Sequence, residues 1–231
     1  MAASIALLDR APVGNSNLPA VKICGFTELS NLCEIAAIDG VDAIGLNFFP
    51  KSKRAITRET ALDWKARWNL RELGVLIIGV FVNPTSSEVI QLHQDGIIDV
   101  AQLHGTEPPS QVAELIGQGI PVIKAHGLKS RDDLDAIESY STPYHLIDAF
   151  APGVWGGTGE TVDWSLLRDW ASSGPSSRRI VLSGGIRPDN VEAAASEVHP
   201  SMIDVASGVE TSPGIKSADY VKNLLNQLNN S

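Results

Sequence analysis

From residue 20 onward, short apolar and β-branched runs alternate with longer stretches of helical period, and the pattern recurs eight times. Such alternation marks parallel strands joined by crossover helices, because each helix carries the chain back to the end of the sheet it left. The spacing predicts strands over Ala20–Cys24, Ala43–Phe48, Leu76–Val82, Val100–Leu103, Pro121–Ala125, Tyr144–Ile147, Arg179–Leu182 and Ile203–Ala206. It predicts helices over Glu28–Ile38, Arg58–Trp68, Ser86–Gln94, Pro108–Gly117, Ser130–Glu138, Trp164–Trp170, Pro188–Ser196 and Ser217–Leu228. Thr27 and Thr57 are placed to cap, Pro108 and Pro188 suit a first turn, and Asp163 precedes Trp164. Eight such pairs without a low-complexity linker fit an α/β fold of one kind, a single (β/α)8 TIM barrel of typically ~250 and sometimes ~200 residues. An open doubly wound sheet is the alternative. It would normally carry a Gly-rich turn after its first strand, where this chain has only Gly25.

Residues 1–19 read as a flexible N-terminal extension, with Gly, Asn and Pro between Pro12 and Pro19, and residues 20–231 as the barrel. The opening MAASIALLDRAPVG has no basic stretch before its apolar residues and makes a poor secretory signal. Two cysteines, Cys24 and Cys33, are too few for a disulfide scaffold, so a reducing cytoplasm is the expected compartment. No apolar run approaches the ~18 residues of a membrane helix. A net charge of -9 argues against nucleic acid as the main ligand.

In a barrel of this type, chemistry gathers at the C-terminal ends of the strands. The last two ends read LSGGIRPDN (182–190) and DVASGVETSPG (204–214). Glycines there let backbone N–H groups approach an anion, and the following helix start adds a favourable dipole. Gly184, Gly185, Ser207 and Gly208 are therefore the candidate phosphate-binding residues, the other reading being two plain connecting turns. Cys24 ends the first strand, followed by the small Gly25. Alone it reads first as an inert buried thiol, but Lys22 lies two residues earlier on the same strand face and is expected to favour its thiolate.

Asp148 follows Leu146 and Ile147 at the end of the sixth strand, an apolar setting that would keep its proton available. It reads otherwise as a helix cap or a partner for a loop cation. Strands one and six lie three apart around a ring of eight, so Cys24 and Asp148 are expected to face one another. Arg54, in FFPKSKRAI (48–56), could pair bidentately with a substrate carboxylate, with Lys51 and Lys53 as a solvated rim. His104, His126 and His145 fall near strand ends without HxH or HExxH spacing, so no metal site is expected. There is no dinucleotide fingerprint and no P-loop, and the chain asks for no cofactor.

Several segments, taken in order, resemble the phosphoribosylanthranilate isomerase family of tryptophan biosynthesis. They are KICGFT (22–27), GLNFFPKSKR (45–54), IGVFVN (78–83), AQLHG (101–105), LIDA (146–149), GGTGETVDW (156–164), LSGGIRPDNV (182–191) and DVASGVETSPGIK (204–216). The resemblance implies a (β/α)8 barrel that catalyses an Amadori rearrangement without metal or cofactor, as a monomer or homodimer. It implies Cys24 as general base, Asp148 as general acid and Arg54 as the ligand of the anthranilate carboxylate. Gly184, Gly185, Ser207 and Gly208 would hold the phosphate, and Lys22, Gln102 and His104 would line the pocket. Phe26, Asn47 and Ala149 depart from the family's usual residues without removing a proposed catalytic group. A catalytically silent sugar-phosphate-binding barrel, or a related phosphate-binding isomerase, is the alternative.

Overall fold

A computed structural model of the chain describes residues 18–67, 74–128, 137–149, 167, 170 and 178–229. Eight parallel strands, β1 (Ala20–Cys24), β2 (Ala43–Asn47), β3 (Leu76–Phe81), β4 (Val100–Leu103), β5 (Val122–Leu128), β6 (Tyr144–Ala149), β7 (Arg179–Leu182) and β8 (Met202–Val205), pair in chain order. β8 pairs with β1 and closes the barrel. The described helices are α1 (Leu29–Ala36), α2 (Arg58–Arg67), α3 (Ser86–Gln94), α4 (Pro109–Gly117), α5 (Val191–Val198) and α6 (Ala218–Asn229). Residues 1–17, most of the helical patterns at 130–138 and 164–170, and the 156–164 motif lie outside the described residues.

Side chains alternate across each strand, so one set fills the barrel and the other meets the helices. Ala20, Leu76, Val100, Leu146, Val181 and Met202 belong to the interior cluster. Val21, Ile44, Leu103, Ile147, Leu182 and Ile203 join the apolar stripes of the helices in the larger outer core. By the same parity Lys22 and Cys24 point inward with Ala20, Gln102 with Val100, Asp148 with Leu146, and Asp204 with Met202. Five polar side chains from four strands thus meet at one end of an otherwise apolar interior.

Three differences from the expected elements bear on the site. β5 and β6 run further than their apolar cores, pairing as far as Leu128 with Ala149, so Asp148 lies within a strand instead of after it. Glu210–Ser212 (β9) and Ile215–Lys216 (β10) form an antiparallel hairpin in the segment after β8, in a polar stretch without strand periodicity. Thr27 does not cap α1, whose N-cap is Glu28 without a side-chain bond; its hydroxyl donates instead to Gly214 O at the hairpin tip, 3.3 Å away. Thr57 does cap, accepting from Thr60 N at 3.1 Å.

His126 and His145 have the opposite parity to the interior set and pack in the helix layer. Their rings meet at Nε2···Nδ1 3.3 Å, beside Tyr140 and Trp170. Burial, together with the charge of neighbouring His145 and Lys124, drives His126 down to about 2, and burial drives His145 to about 4. Above a free histidine's pKa of about 6.5 both folded and unfolded chains are neutral there, and no linkage arises. Below it the unfolded chain takes up protons that the folded chain refuses, so stability falls as pH drops from about 6.5 toward these lower values. Urea midpoints between about pH 7 and about pH 4.5, above the carboxylate range, should fall by the equivalent of a few kcal/mol. His145→Asn should flatten that dependence; an equally steep loss in the variant would contradict it.

Candidate active site

Lys22 is fully buried inside the barrel. Its ammonium donates to Gln102 Oε1 at 2.6 Å and to Asp204 Oδ2 at 3.0 Å. Burial alone would drive the proton off, but the Asp204 carboxylate and the neighbouring Cys24 outweigh it and hold the ammonium above its ordinary range. Asp204 is itself buried, and its Oδ1 has no hydrogen-bond partner among the described residues.

Cys24 sits one layer nearer the barrel mouth than Lys22 and is 8% exposed. Its sulfur leans over β2 at Gly45: a Cβ there would lie 2.5 Å from Cys24 Sγ and 3.0 Å from Lys22 Cε. Gly45 therefore makes the space in which thiol and ammonium meet. Burial pushes the thiol up, and Asp204 adds to that, while Lys22 and Lys216 pull it down without offsetting the rise. The expected influence of Lys22 has the right sign, but the resting group is a protonated thiol because desolvation is larger. Lys22→Met should move the pH dependence of Cys24 alkylation further upward; an unmoved profile would remove Lys22 from this role.

Across the barrel, Asp148 Oδ2 lies 3.2 Å from His104 Nε2. The setting is more polar than Leu146 and Ile147 suggested, because Ile147 points outward and His104 reaches in from the end of β4. His104 Nδ1 meets Gln102 Nε2 at 3.2 Å. A continuous polar line therefore runs from Asp204 through Lys22, Gln102 and His104 to Asp148.

Behind His104 the chain is pinned by a second buried pair, Lys124 Nζ to Glu107 Oε2 at 3.0 Å. Glu107 also accepts from Gly105 N and Asn83 N. Neither residue stood out in the sequence. Lys124 interrupts an apolar strand with outward parity, and Glu107 reads as an ordinary loop acid beside Pro108.

Arg54 arches over β1, its stem so close that a Cβ on Gly25 would meet Arg54 Cδ at 2.5 Å. Gly25 has φ +85°, a conformation other residues rarely adopt. The guanidinium fork expected to be available to a substrate is engaged: Nε and Nη2 donate to Glu210 Oε1 and Oε2 at 2.7 and 2.6 Å. Glu210 also takes Lys216 Nζ at 2.6 Å, and Lys216 lies over the buried ring of Phe26, 5.6 Å from its centre. Burial alone would raise the Glu210 carboxyl; hydrogen bonds from Arg54 and the charge of Lys216 bring it below its ordinary range. Both new partners come from the hairpin that strand periodicity did not disclose.

The Gly-rich loops abut. Gly184 and Gly185 have φ +93° and +65°, and Asn190 ties their loop by donating to Gly185 O and accepting from Arg187 N, each at 2.9 Å. Ser207 and Gly208 lie in a 3-10 turn, Ser207–Val209. A Cβ on Gly208 would stand 1.9 Å from Ile186 O, so the two loops touch backbone to backbone. The structure thus gathers Lys22, Cys24, Gln102, His104 and Asp148 within the barrel, sets Arg54 over β1, and joins the four loop residues beside α5.

A family model described as N-(5'-phosphoribosyl)anthranilate isomerase matches residues 21–227. The N-(5'-phosphoribosyl)anthranilate isomerase of Azotobacter vinelandii is 38% identical over 212 residues, covering 91% of this chain and 97% of that protein. That of Citrifermentans bemidjiense is 40% identical over 207 residues, covering 89% and 94%. The crystal structure of phosphoribosyl anthranilate isomerase from Thermotoga maritima superposes with a TM-score of 0.79 at 34% identity, covering 92% of this chain and all of that one. A crystal structure of a phosphoribosyl anthranilate isomerase in complex with reduced 1-(o-carboxyphenylamino)-1-deoxyribulose 5-phosphate superposes at 0.77, also at 34% identity and with 92% of this chain covered. With sequence, family model and fold in agreement along nearly the whole barrel, the chain belongs to the N-(5'-phosphoribosyl)anthranilate isomerase family.

Proposed function

We propose that the chain isomerises N-(5-phosphoribosyl)anthranilate to 1-(2-carboxyphenylamino)-1-deoxyribulose 5-phosphate in tryptophan biosynthesis, with Cys24 as general base and Asp148 as general acid. The observation that carries the assignment of roles is that these two side chains enter the same end of the barrel from β1 and β6, with Lys22, beside Cys24, linked through Gln102 and His104 to Asp148. Asp148 delivers a proton to the ribose ring oxygen as the C1–O bond breaks and the anilino nitrogen forms a cationic C1=N bond. That cation acidifies the C2 hydrogen. Its charge, with those of Lys22 and Lys216, favours loss of the resting thiol's proton to solvent, and the Cys24 thiolate so formed removes the C2 proton to give an enolamine. Tautomerisation, with a proton added at C1 and one lost from the C2 hydroxyl, completes the ketone. The scheme calls on no cofactor.

Orientation comes from the substrate's two anionic ends. The abutting loops at Gly184, Gly185, Ser207 and Gly208 receive the phosphate through backbone N–H groups. Arg54, held by Glu210, presents its Nη1 side to the anthranilate carboxylate, and a ribose hydroxyl supplies the buried Asp204 Oδ1. A cytoplasmic setting suits a mechanism that needs Cys24 free, and both cysteines are free here. The active unit is a monomer or homodimer. Purified protein added to the fluorescent anthranilate substrate should abolish its fluorescence as the product forms. Retained fluorescence with bound substrate would instead indicate a silent sugar-phosphate-binding barrel.

A further inference from the structure

Three heavy-atom contacts decide where the proton of His104 resides. A lysine ammonium can only donate, so the Gln102 atom 2.6 Å from Lys22 Nζ must be the amide oxygen. The amide NH2 then faces His104 Nδ1 at 3.2 Å. An NH2 group can only donate in turn, so Nδ1 must offer a lone pair. The ring proton is left on Nε2, which faces Asp148 Oδ2 at 3.2 Å. Each step follows from what the previous group is able to do, and its origin is the buried Lys22, held cationic by Asp204 at 3.0 Å.

We infer that Gln102 is a positioning residue that transmits the polarity of Lys22 to His104, locking the imidazole as the Nε2–H tautomer that donates to Asp148. This rests on the reading of Asp148 as the general acid and adds to it the donor that orients that acid. Because Nε2 already bears a hydrogen, it donates to Oδ2 and fixes which carboxyl oxygen of Asp148 faces the ring. With Oδ2 accepting from the ring, the proton Asp148 delivers to substrate is carried on Oδ1. Among the described residues, Asp148 from β6 is the titratable group in contact with His104, and His126, held neutral by burial in the helix layer, is coupled to it electrostatically. Among the described residues, Lys22 reaches the ring through Gln102.

Imidazole 15N NMR of the whole protein at neutral pH reads the tautomer directly. The wild type should show a bare, pyridine-type Nδ1 and a protonated, pyrrole-type Nε2 at His104. In Gln102→Glu the carboxylate still accepts from Lys22 but demands a proton on Nδ1, so that signal should become pyrrole-type. Its kcat should fall about tenfold to a hundredfold, part of the ~100- to 10,000-fold that a positioned acid contributes, while KM moves less. His104→Gln, which keeps an N–H donor for Asp148, should retain kcat within about tenfold of wild type, whereas His104→Leu should not. A protonated Nδ1 in the wild type, or an Nδ1 signal unchanged in a folded Gln102→Glu, would overturn the inference. Because the NMR signature does not depend on turnover, failure of the acid assignment would show separately, as an active Asp148→Asn variant.

Discussion

Asp148→Asn and Cys24→Ser are each expected to lower kcat by about 100- to 10,000-fold while changing KM by less than about tenfold. Asparagine matches the shape of aspartate and can still accept from His104 Nε2 through its amide oxygen, but it has no acidic proton to transfer to the ring oxygen. Serine matches cysteine closely in size and fits the space over Gly45. Its hydroxyl, however, does not ionise near neutral pH, and the two cations that help the thiolate do not bridge that gap. Neither residue is assigned a contact with the phosphate or carboxylate, so ground-state binding should survive in both variants. The double variant should lose less than the product of the single losses, because the groups serve one reaction sequence. Progress curves of anthranilate fluorescence measure all three. A single variant with wild-type kcat would remove its residue from the assigned role.

Gly208→Ala should be the most damaging single-methyl change at the substrate site. Its new Cβ would lie 1.9 Å from Ile186 O, 2.9 Å from Ile186 C and 3.0 Å from Arg187 Cα. All three neighbours are backbone atoms, so no side-chain rotation relieves the clash and the loops after β7 and β8 must separate. Overpacking of this kind typically costs about 1–3 kcal/mol of stability. The larger consequence is functional. The backbone N–H groups proposed to converge on phosphate would be spread apart, and KM should rise by more than about tenfold, the equivalent of ~1.4 kcal/mol of lost binding. Gly117→Ala is the matched control: Gly117 ends α4 with nothing within 4 Å of the added methyl. It should leave KM unchanged and stability neutral or improved. Equal KM in both variants would mean that contact between the loops does not build the phosphate site.

The barrel was legible because its strands are short apolar runs with fixed parity, and parity alone places Lys22 beside Cys24. The same reasoning would have sent His126 and His145 outward, since Ala125 and Leu146 occupy the inward positions between them. Proximity to strand ends made those histidines look equivalent to His104, which the structure shows they are not. The β9–β10 hairpin was hidden because Glu210–Lys216 is polar and carries no alternation. Glu210 was hidden with it: its pairing with Arg54 spans 156 residues, and no local pattern encodes an ion pair across that distance. Asp204 lay within a recognised motif, yet its importance comes from the buried Lys22 reaching it from β1, a contact that exists only once the barrel closes.

Substrate carrying deuterium at C2 shows whether the β1 sulfur takes the proton from carbon. Wild-type protein should release that deuterium from C2 as fluorescence falls, and Cys24→Ser, over many wild-type turnover times, should leave both the label and the fluorescence in place. Release of the C2 deuterium by the serine variant at the wild-type rate would contradict the assignment of Cys24 as the base.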